Sequence, residues 1–134
     1  FSEKERKDHH LKGLAGIEMA LREGACHDAL ERIRVAIQTF NHNCRFNREE
    51  IFGQGANTRA QAFLRSLKDD QYNDAQVYRV NRDAFIALRY ALGHPDILKD
   101  PLQPLHDKEL WGKNTSFAPQ LGDSKLMDPW FWYI

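Results

Sequence analysis

The sequence predicts an all-α protein: three long antiparallel helices in a bundle, with an irregular C-terminal tail, rich in proline and aromatic residues, packed on it. Three observations carry this expectation. Cys26, Leu30, Ile33, Ile37, Phe40 and Cys44 follow one another at steps of four, three, four, three and four, the spacing that lines one face of a helix. No proline or glycine interrupts the chain from Ala56 to Leu92. All five prolines fall after Gly93, where each removes a backbone donor and fixes φ.

The elements follow in order. Ser2 supplies a hydroxyl for an N-cap, and Glu3 and Glu5 place carboxylates at the positive end of the dipole. His10, Leu14, Ile17 and Leu21 then step by four, three and four, flanked by Leu11 and Ala15, and Gly24 is expected to end this first helix. The connection to the second helix is so short that the two either form an antiparallel hairpin or merge into one kinked rod; the hairpin is the favoured reading. The second helix is the rod from Cys26 to Cys44. Ala29 and Ala36 widen its apolar stripe, while Glu31, Arg32, Arg34 and Gln38 fall on the other side.

From Arg45 to Gly55 the chain reads as a loop, because Gly53 and Gly55 are costly inside a helix. Asn57 or Thr58 then caps a third helix that Gly93 stops, with Ala60, Leu64, Leu67, Asp74, Tyr78, Phe85, Leu88 and Leu92 in one helical register around a polar interruption at Gln71. Residues 1–92 are thus the bundle and 93–134 the tail, with a short helix expected from His106 to Trp111. The last residues, Trp130, Phe131, Trp132, Tyr133 and Ile134, are too apolar to float at a free end, so they pack back on the bundle or dock on a partner.

Composition narrows the function classes. At 134 residues the chain builds one core, not two. Lysine plus arginine equals aspartate plus glutamate at 19 each, so no global field draws it to nucleic acid or an anionic membrane. No apolar run approaches the roughly 20 residues of a membrane span, and the charged start is no signal peptide. A soluble, intracellular chain, nuclear or cytoplasmic, is expected. It begins with Phe rather than Met, which suggests a fragment or processed product. Cys26 and Cys44 on one continuous helix would lie about 27 Å apart, which excludes a disulfide between them.

Several clusters invite a chemical role. Gly53, Gln54, Gly55, Ala56, Asn57, Thr58 and Arg59 lead into a helix whose free N–H groups attract anions, and Arg59 could clamp a phosphate. The stretch lacks the lysine of a P-loop and follows no strand, so a tight turn with a cap is the plainer reading. Arg65, Lys68, Arg79, Arg82 and Arg89 occupy one stripe of the third helix, about 36 Å long by helix rise, with Tyr72 beside them. That shape suits a nucleic-acid backbone, arginines meeting phosphates and the ring stacking on a base. Asp69, Asp70, Asp74 and Asp83 blunt it, and a solvated flank is the plainer reading.

Cys26, His27, His42 and Cys44 are zinc-type ligands, but about five helical turns separate the two pairs. Small core cysteines are the better account, and no metal or cofactor is assigned. Asp28 and Glu31 share a face, yet Asp28 also pairs with Arg32 one turn on. Glu49 with Glu50 and Asp69 with Asp70 sit in surface-like sequence, and no serine or cysteine has a nucleophile context. No catalytic residue is assigned.

A wider pattern links Leu21-Arg22-Glu23-Gly24, His27-Asp28-Ala29-Leu30, the Gly53 to Arg59 stretch, Tyr78-Arg79-Val80-Asn81-Arg82 and Leu102-Gln103-Pro104-Leu105-His106-Asp107, with tryptophan near the end. In order and spacing it resembles a helical segment of fungal transposases of the Kyakuja-Dileera-Zisupton group and proteins derived from them, over roughly residues 17 to 107. The resemblance implies a segment following a metal-dependent catalytic core whose carboxylates lie upstream of Phe1; none of those positions is matched here.

Three functions remain. The first is a helical interaction module that forms a homo-oligomer or docks a neighbouring domain, with Trp130, Phe131, Trp132 and Tyr133 as the interface. The second is a nucleic-acid binder, with DNA as the possible partner, that meets the phosphate backbone through Gly53, Gly55, Asn57, Arg59 and the stripe of Arg65, Lys68, Tyr72, Arg79, Arg82 and Arg89. The third, weaker, is a small metal-dependent hydrolase or nuclease.

Overall fold

Among the described residues the bundle is built of two long helices, not three. In the computed structural model, which describes residues 2–50, 54–93, 100–113 and 127–134, α1 runs Glu3–Glu50 and α2 runs Gln54–Ala91. Short 3₁₀ turns follow at Asp107–Glu109 and Trp130–Trp132. At 1.5 Å per residue the helices are about 72 and 57 Å long. They are antiparallel: Arg22 reaches Asn81 at 3.0 Å, the Cys26 thiol lies 3.9 Å from the Tyr78 carbonyl, and Arg32 meets Asp74 at 3.2 Å. Partners on α2 fall in number as those on α1 rise.

α1 starts as expected. The Ser2 hydroxyl accepts from Glu5 N at 3.2 Å and the Glu5 carboxylate accepts from Ser2 N at 2.8 Å, a reciprocal capping box. The expected stop at Gly24 does not occur. Gly13, Gly16 and Gly24 all lie inside α1, and none has positive φ. Each costs about 1 kcal/mol against alanine, too little to break a helix whose next four turns bury Cys26, Ala29, Leu30, Ile33 and Ile37 completely or nearly so. Burial of each Leu or Ile in that run contributes roughly 1.5–3 kcal/mol.

The expected loop from Arg45 to Gly55 is overturned at both ends, because α1 continues to Glu50 and α2 begins at Gln54; residues 51–53 lie outside the described residues. Asn57 and Thr58 are therefore helical rather than capping. α2 ends where glycine predicts: Leu92 N donates to Leu88 O and Gly93 N to Tyr90 O, both at 3.0 Å, with Gly93 at φ 83°.

The core lies between the helices and under the C-terminal segments. Ala75, Tyr78 and Phe85 of α2 meet the α1 stripe, and Leu102, Leu105, Leu110 and Phe131 close it from the third side. Gln71, the polar interruption, is fully buried. Its Oε1 accepts from Lys68 Nζ at 3.4 Å, and its Nε2 finds no partner among the described residues. No strand occurs among the described residues.

Candidate interaction surface

The arginines of α2 do their visible work on the chain's own tail. An extended, proline-bearing segment makes few hydrogen bonds with itself, so its carbonyls need outside donors. Arg82 Nε donates to Leu102 O and Arg79 Nε to Leu105 O, each at 2.9 Å, and Arg79 Nη2 also meets Asp107 at 2.7 Å. Arg89 pairs with Asp100, whose other oxygen accepts from Leu102 N at 2.8 Å. The Tyr78 hydroxyl donates to Gln103 O at 2.6 Å. From α1, Arg34 donates to Phe131 O at 2.8 Å and Asn41 to Gly112 O at 3.0 Å.

Of the basic stripe, Arg79, Arg82 and Arg89 are thereby engaged in holding residues 100–107. Lys68 is half-buried with its ammonium 4.5 Å from the centre of the Phe40 ring, and burial lowers it from the ordinary lysine value. Arg65 and Tyr72 are exposed. Gly55, Asn57 and Arg59 lie exposed in the opening turns of α2, and Gly53 lies outside the described residues.

The tail aromatics are divided. Phe131 is fully buried, and Trp130 and Trp132 are half-buried and flank it, with ring centres 5.9 and 5.6 Å away. Trp132 Nε1 donates to Trp111 O at 2.9 Å. Tyr133 is exposed. Gly112 sits beneath Trp132 at φ 121°, where an added Cβ would stand 2.5 Å from the indole nitrogen.

A different apolar surface emerges on α1. Leu11, Leu14, Ile17 and Leu21 are 61, 50, 62 and 67 % exposed, although their spacing predicted a packed face. Leu21 to Cys26 is a step of five, and at about 100° per residue that shift carries the apolar stripe roughly 140° around the helix. The second stripe faces the core; the first is on the far side. Farther along, the same side of α1 carries Arg32, Val35, Ala36 and Thr39, which with Leu67, Asp70, Asn73 and Asp74 of α2 line an open groove. Val77, one turn beyond Asn73 and Asp74, is also exposed. The signal for this surface was present as the step of five, which reads equally as a break between two helices.

Among the described residues, no three of His, Cys, Asp and Glu gather as a metal site would need. No described helix is long and apolar enough to cross a membrane. Comparison with protein-family models, curated proteins and solved structures gives no match to this chain.

Proposed function

We propose that this chain is a helical interaction module, resembling a transposase segment, that assembles with itself or with a neighbouring domain through the uncovered face of its hairpin. The observation that carries this reading is the run of Leu11, Leu14, Ile17 and Leu21 on the solvent side of α1. Single exposed leucines are ordinary, but four within three helical turns, at the spacing of an amphipathic helix, form a seam that another helix can cover.

Nucleic-acid binding is the second reading. What favours it is the placement of Arg59 and Arg65, both exposed near the start of α2, whose first turn carries no acidic residue. Against it, three arginines of the wider stripe serve tail carbonyls and carboxylates. Solution mass separates the two, measured with and without a short DNA duplex at low and moderate salt. Apolar assembly gives a mass above the monomer that persists as salt rises. A monomer whose retention on the duplex collapses with salt would replace this reading with the second.

A further inference from the structure

We propose that the occupant of the exposed α1 stripe is the same stripe of a second copy, laid antiparallel about a two-fold axis near Ile17. This inference rests on the assembly reading above and specifies its partner and geometry. The stripe is not only apolar; it is bounded by charges in a self-complementary order. Along this side of α1 come Glu3, Lys7, Leu14, Ile17, Leu21, Asp28 and Arg32.

When two such helices run in opposite directions about an axis between Ile17 and Glu18, one register brings these residues together in pairs. Leu14 meets Leu21 of the other copy, Lys7 meets Asp28, and Glu3 comes beside Arg32, which also holds Asp74 of its own chain. A two-fold axis requires such self-complementarity, since the same patch serves both sides. Parallel pairing would instead set Lys7 against Lys7 and Asp28 against Asp28, which repel.

Two further observations agree. His10, Leu14, Ile17 and Leu21 alternate steps of four and three, so that His10 to Ile17 and Leu14 to Leu21 each span the seven residues at which helices pack side by side along a seam. Gly13 and Gly24 lie along one edge of the stripe, and a Cβ added at either meets nothing within 4 Å. No contact among the described residues accounts for these glycines inside a helix, whereas small residues beside a seam let a second backbone approach. The face also continues past Asp28 into the groove lined by Arg32 and Val35, so the partner's helix has a flank of α2 beside it as well.

The test uses the full chain. Ile17→Glu buries a carboxylate against its own counterpart, so the dimer weakens by at least about tenfold in Kd, while helix content and melting of the monomer stay as in the parent because Ile17 supports no contact in the hairpin core. Geometry is read in a background carrying Cys26→Ala and Cys44→Ala. There, a mixture of Leu14→Cys and Leu21→Cys chains oxidises to the mixed disulfide in preference to either homodimer, as antiparallel pairing demands.

A dimer that survives Ile17→Glu overturns this surface and leaves assembly standing through another face. Homodisulfides of Leu14→Cys overturn the antiparallel arrangement alone. A parent chain that is monomeric across a wide dilution series removes both this inference and the assembly reading.

Discussion

Cys26 shows how one buried atom sets a pH limit on the fold. Its thiol is fully buried against the Tyr78 carbonyl, and burial pushes it up from 9.0 to about 11. Above its ordinary value the unfolded chain releases the thiol proton while the folded chain keeps it, so stability falls as pH rises between about 9 and 11. Across that window the loss comes to roughly 2–3 kcal/mol. Tyr78, also driven upward by burial from its ordinary 10.0, adds a loss of its own from about pH 10 upward, so it overlaps the upper half of that window. Cys26→Ala is therefore expected to flatten the decline across that window in urea melts at successive pH values; an undiminished slope would place the alkaline sensitivity elsewhere. The thiol's burial was legible in the sequence, since Cys26 stands in register with Leu30 and Ile33. Its partner was not, because nothing local in a chain says which carbonyl lies 52 residues away.

At the scale of the element, apolar periodicity carried most of the fold and misled at one place. The positions of Leu30, Ile33, Ile37, Leu64, Leu67, Tyr78 and Phe85 on buried faces follow from spacing alone, because a long amphipathic helix has one way to hide its stripe. The change of phase between Leu21 and Cys26 has two solutions, a turn or a second face on an unbroken helix, and Gly24 tilted the sequence reading toward the turn. Helix propensity is too weak an effect to settle that choice when the following turns are packed. The arginines of α2 were equally ambiguous, since guanidinium groups bind phosphates and carbonyls with the same donors. Their structural role makes a definite expectation. Arg79→Ala with Arg82→Ala strips the donors from Leu105 and Leu102 carbonyls, so hydrogen exchange in residues 100–110 accelerates at least about tenfold, the equivalent of 1.4 kcal/mol of local opening. The centre of α1, around Ile33, keeps its protection. Uniform loss of protection along the whole chain would mean that the clasp and the hairpin open together.

At the scale of the whole molecule, two apolar surfaces compete for the role of interface, and they respond oppositely to one substitution. The terminal aromatics seal the hairpin from one side: Phe131 joins the core, Trp130 lies 6.0 Å from the Tyr78 ring, and Arg34 and Trp132 tie the ends of the turn. The α1 stripe lies on another side and takes no part in that seal. Phe131→Ala leaves a cavity where a whole ring was buried, which costs roughly 3–5 kcal/mol. Because the stripe from Leu11 to Leu21 is untouched, the variant is expected to melt earlier in denaturant yet keep the parent's solution mass wherever it remains folded. Ile17→Glu has the reverse signature, a parent-like melt for the monomer with the assembly lost. If Phe131→Ala dissociated the protein under conditions where its circular dichroism stayed native, the aromatic end would be the contact between copies. The hairpin's exposed leucines would then be surface without a partner, and α1 would be long for reasons its own packing does not supply.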